Sequence, residues 1–211
     1  MSARTEHQVR EAYRRAALFL SKLAAREPGR AVQVASATSK EGTTTVVLTL
    51  ARYLREYYGL KVLVVEVGQR GELAAMLHLD RDRAFDSFAS GRIAAAEAVQ
   101  TGGGVFVVAG SRSPLSAADF TARLRELLKA VAGDFDLVLL DVPPVLESTD
   151  ALVVGACVPD LVLVVAAGRT RFEVVQRAKR ELEAEGVRII ATVLNRHRHF
   201  IPYWVYRWLI G

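Results

Sequence analysis

Five short apolar runs, at residues 32–35, 61–67, 135–140, 161–167 and 187–194, constrain the fold of this chain more than any other feature. Each is rich in Val, Leu and Ile and nearly continuous, and a segment long enough for an amphipathic helix separates it from the next. A strand with one wet face alternates apolar and polar residues, whereas a strand covered on both faces need not. The pattern therefore predicts an α/β fold, a three-layer sandwich around a mainly parallel sheet. With 211 residues, 51% hydrophobic and 24% charged, the chain is long enough to bury one such core, and a single domain over 1–211 is expected. In a parallel sheet chemistry gathers at the carboxyl ends of the strands, and the segment 36–44, Glu66, Asp141 and Asn195 all fall there.

Residues 36–45 read Ser-Ala-Thr-Ser-Lys-Glu-Gly-Thr-Thr-Thr, between the first apolar run and a helical pattern over 46–57. A Walker A loop uses backbone N–H groups to cradle phosphates, a lysine to reach the β- and γ-phosphates and a hydroxyl to hold Mg²⁺. Gly42 and Thr44 fit that pattern, and Thr43 occupies the lysine's place. Gly-Thr-Thr-Thr after a strand is also an ordinary helix start, so the neighbouring motifs decide the reading.

Those motifs resemble the bacterial tyrosine kinases of capsular and exopolysaccharide assembly, a branch of the deviant-Walker P-loop ATPases, over almost the whole chain. The loop 36–45 is similar to the family's Ser-Ala-x-Pro-Gly-Glu-Gly-Lys-Ser-Thr, with Ser39 for proline, Lys40 for glycine and Thr43 for the lysine. Glu66-Val67-Gly68-Gln69-Arg70 parallels the second acidic motif Asp-x-Asp-x-Arg, so one carboxylate is lengthened and the other lost. Asp141-Val142-Pro143-Pro144-Val145, followed by Ser148-Thr149-Asp150-Ala151, is similar to the Walker B stretch and is the strongest match. Glu11-Ala12-Tyr13-Arg14 resembles the start of the oligomerisation motif Glu-x-x-Arg-x-x-Arg, with Ala17 at the second arginine.

The resemblance implies a P-loop NTPase-like fold, ATP and Mg²⁺ as cofactors if nucleotide binds, and a set of site residues. Lys40, Gly42, Thr43, Thr44, Thr45 and Asn195 would contact nucleotide, Asn195 at the adenine ring. Thr44 and Asp141 would hold the metal, Glu66 and Asp141 would be catalytic, and Glu11 and Arg14 would mediate self-association. Removing one cationic donor from a phosphoryl-transfer site costs about 3 kcal/mol, roughly a hundredfold in rate. Lengthening the acid by one methylene, in Glu66, misplaces it on a scale near 1 Å, where the loss is again large. The expectation is an impaired enzyme serving as a regulatory or assembly partner of a membrane-embedded polysaccharide co-polymerase or an active paralogue. Two alternatives share the fold: an active tyrosine autokinase using Glu66 as base, and a partition-type positioning ATPase. Lys40 is a solvated loop lysine or a replacement for the missing charge.

The remaining features bound the partners. A formal charge of +5, with arginines clustered at both ends, favours anionic surfaces. No helix-turn-helix, zinc-finger or RNA-binding motif accompanies that charge, so an acidic protein or lipid surface is preferred to nucleic acid. There is neither a charged leader with an apolar run behind it nor an apolar stretch of roughly 20 residues, so a cytoplasmic location is expected, peripheral to the inner membrane face. In the tail, 197–211, Trp204 and Trp208 lie i,i+4 among basic residues, as in a docked helix or an interfacial anchor. Family members end in a tyrosine cluster, and this tail offers Tyr203 and Tyr206. Cys157, the single cysteine, reads as core, the histidines as no metal site, and Gly102-Gly103-Gly104 as a flexible turn before a strand at 105–109.

Overall fold

A computed structural model describes residues 3–68, 71–110 and 115–195, with side chains from residue 13 onward. Within them, strands β1 (Arg30–Ser36), β2 (Val62–Glu66), β3 (Gln100–Gly102), β4 (Val105–Val108), β5 (Leu137–Asp141), β6 (Asp160–Ala166) and β7 (Arg188–Asn195) form one sheet in the order β3-β4-β2-β5-β1-β6-β7. Every neighbouring pair is parallel except β3 with β4. The five apolar runs are β1, β2, β5, β6 and β7, and the predicted α/β class holds.

Two apolar clusters lie on opposite faces of the sheet. Helices α1 (Ala3–Arg26) and α2 (Thr43–Tyr58) cover one face, with Leu20, Leu50 and Leu54 fully buried against Val32, Val34, Val64 and Val162. Helix α3 (Glu72–Leu77) joins the margin of that same cluster through Leu73 and Ala74, and the other face carries α4 (Phe85–Ala89), α5 (Ala95–Ala98), α6 (Ala117–Val131), α7 (Asp150–Gly155) and α8 (Phe172–Ala184). There Phe85, Leu124, Leu127 and Leu182 meet Leu63, Val138, Leu140 and Leu161. Successive strand residues point to opposite faces, so covering both makes each central strand apolar throughout. Deleting one of these leucine side chains would cost about 2–5 kcal/mol.

Gly102-Gly103-Gly104 leads through the expected turn into β4. Gln100–Gly102 pairs antiparallel with β4, and the turn between them is pinned to α2, where Arg52 Nε donates to the Gly103 carbonyl at 3.0 Å and Arg55 donates to that of Gly104. At the amino ends of the strands, Asp160 is buried between Arg30 and Arg188, which closes the edge remote from the loop. Cys157 is half-buried, packs against the second cluster and donates its thiol to the Val154 carbonyl at 3.3 Å. No described helix is long and apolar enough to cross a membrane. Arg70 and the tail 197–211, with Tyr203 and Tyr206, lie outside the described residues.

Candidate phosphate-binding cleft

β1 lies between β5 and β6, where the strand order reverses, and the chain leaves its carboxyl end at Ser36 to enter the loop 37–42. Gly42 takes a left-handed backbone (φ 90°) and starts α2, whose first residues are Thr43, Thr44 and Thr45. The first N–H groups of a helix have no partner within it, so they present a partial positive charge to whatever lies in front. In front is a cleft of about 470 Å³, walled by Ser36, Ser39, Lys40, Gly42, Thr43, Thr44 and Thr45 on the loop side. Glu66, Glu72, Met76, Asp141, Pro143, Pro144 and Glu147 wall it on the other.

One buried side chain fixes the loop. Glu41, 1% exposed, accepts from the Thr38 amide (3.2 Å) and hydroxyl (2.8 Å), the Thr170 hydroxyl (3.0 Å) and the Ala166 amide (3.2 Å). A carboxylate removed from water needs several donors, and here loop, strand end and the following turn supply them. The segment after β5 adds a second brace, with Val145 N–H bonded to Ser36 O at 2.9 Å and Leu146 N–H to Ala37 O at 3.1 Å. Glu147 reaches back to accept the Ser39 amide at 2.5 Å, a bond that a proline at 39 would forbid.

Lys40 is exposed at the cleft rim with φ 63°, a left-handed conformation that strains a side-chain-bearing residue. Its place in the loop suits glycine, the residue of the similar motif.

Asp141 and Glu66 end adjacent strands in register with each other. Asp141 is buried, and that burial raises its pKa to about 7. A hydrogen bond with Thr44 opposes the shift, and the charges of Glu66 and Glu72 add to it. Glu66 is also buried, but its oxygens face backbone donors: Oε1 accepts the Leu73 amide at 2.9 Å and Oε2 the Gly110 amide at 3.0 Å. The extra methylene lets it join the start of α3 to the end of β4.

Gly68 has φ 90°, and a Cβ added there would sit 3.0 Å from Pro143 Cγ. The absent carboxylate of the second acidic motif is thus built into the backbone.

Of the residues expected at the site, Lys40, Gly42, Thr43, Thr44, Thr45, Glu66 and Asp141 line the cleft. Asn195 closes β7 outside that lining, and its amide joins Tyr13 to the Glu41 carbonyl. Arg14 is exposed on α1, and Glu11 belongs to the same helix. Sequence reasoning missed Glu41, Glu72 and Glu147 as members of the site. A lone glutamate inside a Gly-Thr-rich loop is a signal for the first of these, and nothing local marks the other two.

Among the described residues no cluster of three or more His, Cys, Asp or Glu side chains is arranged to hold a metal. One hydroxyl and one carboxylate, Thr44 and Asp141, nevertheless fit Mg²⁺, which keeps several waters and binds through a carboxylate or two plus phosphates.

No family model matches the chain. Tyrosine-protein kinase etk of Escherichia coli strain K12 is 28% identical over 169 residues, which is 78% of this chain and 23% of that protein. The chain thus spans less than a quarter of the length of that relative. The solved kinase domain of Escherichia coli tyrosine kinase ETK superposes with a TM-score of 0.72 at 27% identity, over 82% of this chain and 71% of that one. Cobyrinic acid a,c-diamide synthase from Mycobacterium smegmatis, solved with bound ATP analog and magnesium, gives a TM-score of 0.62 over 77% and 71% of the two chains. At 20% identity that likeness is one of fold alone. By sequence and by fold, the chain is similar to the kinase domains of bacterial tyrosine kinases.

Proposed function

We propose that this chain is a cytoplasmic, kinase-like member of a polysaccharide-assembly system that binds nucleotide phosphates and is impaired in transferring them. One observation carries the reading. Among the described residues lining the cleft, the single cation is Lys40 at the rim, whereas four carboxylate residues, Glu66, Glu72, Asp141 and Glu147, line the opposite wall. A phosphoryl group in flight needs its growing charge neutralised, and the position nearest that charge holds Thr43. Thr44 and Asp141 would hold Mg²⁺, which supplies charge neutralisation between the phosphates. The amides of Thr43, Thr44 and Thr45 would cradle the phosphates. Glu66 organises the wall through Leu73 and Gly110.

The role left to such a protein is contact. Self-association through Glu11 and Arg14 of α1 would present the cleft to a membrane-embedded polysaccharide co-polymerase or an active paralogue, with the basic aromatic tail 197–211 on the membrane surface. Labelled ATP with Mg²⁺ tests the proposal. Saturable binding with label transfer and hydrolysis near background supports it, and rapid turnover abolished by Asp141→Ala refutes it. Light scattering and sedimentation with anionic vesicles test the assembly and membrane arms.

A further inference from the structure

We infer that Asn195 is a positioning residue that ties the phosphate loop to the first helix, so that the placement of α1 sets the shape of the loop. The inference rests on reading 37–45 as a phosphate loop, and it assigns Asn195 a task that involves no nucleotide.

Asn195 ends β7. Its Nδ2 donates to the Glu41 carbonyl at 2.8 Å, and its Oδ1 accepts the Tyr13 hydroxyl at 3.3 Å. Reversing the amide would set Oδ1 against the Glu41 carbonyl, acceptor against acceptor. The Glu41 carbonyl, which can only accept, therefore fixes the orientation of the amide, and Tyr13, donating to Oδ1, holds the amide in place from the other side. Tyr13 lies on the buried face of α1, 6% exposed, and burial raises its pKa, which keeps the donated proton in place. On the far side Glu41 passes the constraint on, since its carboxylate gathers Thr38, Ala166 and Thr170 and its successor is Gly42, where α2 begins. Three elements distant in sequence, α1, β7 and the end of β6, thus converge on the residue preceding the helix start.

The neighbour of Tyr13 on α1 is the exposed Arg14. A partner that grips this helix from outside pulls on Tyr13, and linkage requires that a ligand ordering the loop act back on α1 by the same free energy.

Hydrogen exchange read by mass spectrometry on the full chain, without nucleotide, tests this. The set is wild type, Tyr13→Phe, Asn195→Asp and the double variant. Tyr13→Phe should speed exchange at residues 38–42 about fivefold, the effect of losing one ordinary hydrogen bond, and leave β2 and β5 unchanged. Asn195→Asp keeps the acceptor for Tyr13 but turns the donor into an acceptor facing the Glu41 carbonyl. It should loosen the same residues, and adding Tyr13→Phe to it should change them no further. Unaltered loop exchange in Tyr13→Phe, additive effects in the double variant, or equal acceleration in β2 and β5 would each overturn the inference. A parallel titration with Mg-ATP judges the phosphate-loop reading separately, because the exchange comparison is complete without ligand.

Discussion

Glu66 and Asp141 stand side by side at the ends of β2 and β5, two buried carboxylates in register whose environments divide their tasks. Glu66 has two backbone N–H groups to face, whereas burial and the charges of Glu66 and Glu72 hold Asp141 near the point of protonation. The Thr44 bond offsets part of that cost. Such tension is common where a site is shaped for a cation or phosphate rather than for stability.

Asp141→Asn should stabilise the fold, by about 2 kcal/mol at pH 8 and by progressively less toward pH 4. The sign follows from the raised pKa of about 7. Between the ordinary carboxylate pKa and 7 the folded state binds the extra proton, so the wild type loses stability as pH rises through that window. Urea unfolding of both proteins across pH 4–8 should show the two curves converging at the acid end.

Glu66→Gln should destabilise by about 2 kcal/mol. Its amide would turn an NH₂ group toward either the Leu73 or the Gly110 N–H, leaving one buried donor facing another. Thermal unfolding monitored by circular dichroism should show a fall of several degrees, and Glu66→Asp, too short to span both amides, should not rescue it.

Lys40→Gly should raise stability by about 0.5–1 kcal/mol. Relief of the left-handed strain at φ 63° outweighs the extra freedom that glycine brings to the unfolded chain. A higher denaturation midpoint with an unchanged slope is the expected result. If Lys40 instead serves phosphate, the same variant will lose affinity for Mg-ATP in a titration.

Thr43→Lys should restore a cation at the head of α2. Mg-ATP affinity should rise, and the rate of ADP release should increase by about tenfold or more, with an upper bound near the hundredfold assigned to a single lost donor. Coupled-enzyme detection of ADP provides the readout. The gain should fall short of that bound, because Gly68 still leaves the second acidic motif without its carboxylate.

The sheet was legible because covering both faces removes alternation, so β1, β2, β5 and β6 appear as plain apolar runs, and β7 carries an apolar run at the sheet edge although it is only partly covered. β3 was hidden for the opposite reason. Gln100-Thr101-Gly102 has no apolar pattern, and its strand exists because β4 offers an open edge. The side chains bonded to its turn are Arg52 and Arg55, on a helix far back in the chain.

The cleft walls that come from motifs, Thr43 to Thr45, Glu66 and Asp141, were visible in order and spacing. Glu41 was not singled out, because its task is defined by Ala166 and Thr170, which reach it only after folding. Asn195 was assigned to an adenine ring by resemblance, and its contacts in the folded chain go to Tyr13 and Glu41.

Gly68 has one more consequence. With its backbone turned to φ 90° and Pro143 close to the position a side chain would take, an aspartate placed there meets conformational strain and a tight contact. A route back to a carboxylate at residue 68 therefore passes through a strained, less stable state, which a small shift of the Pro143 ring would ease.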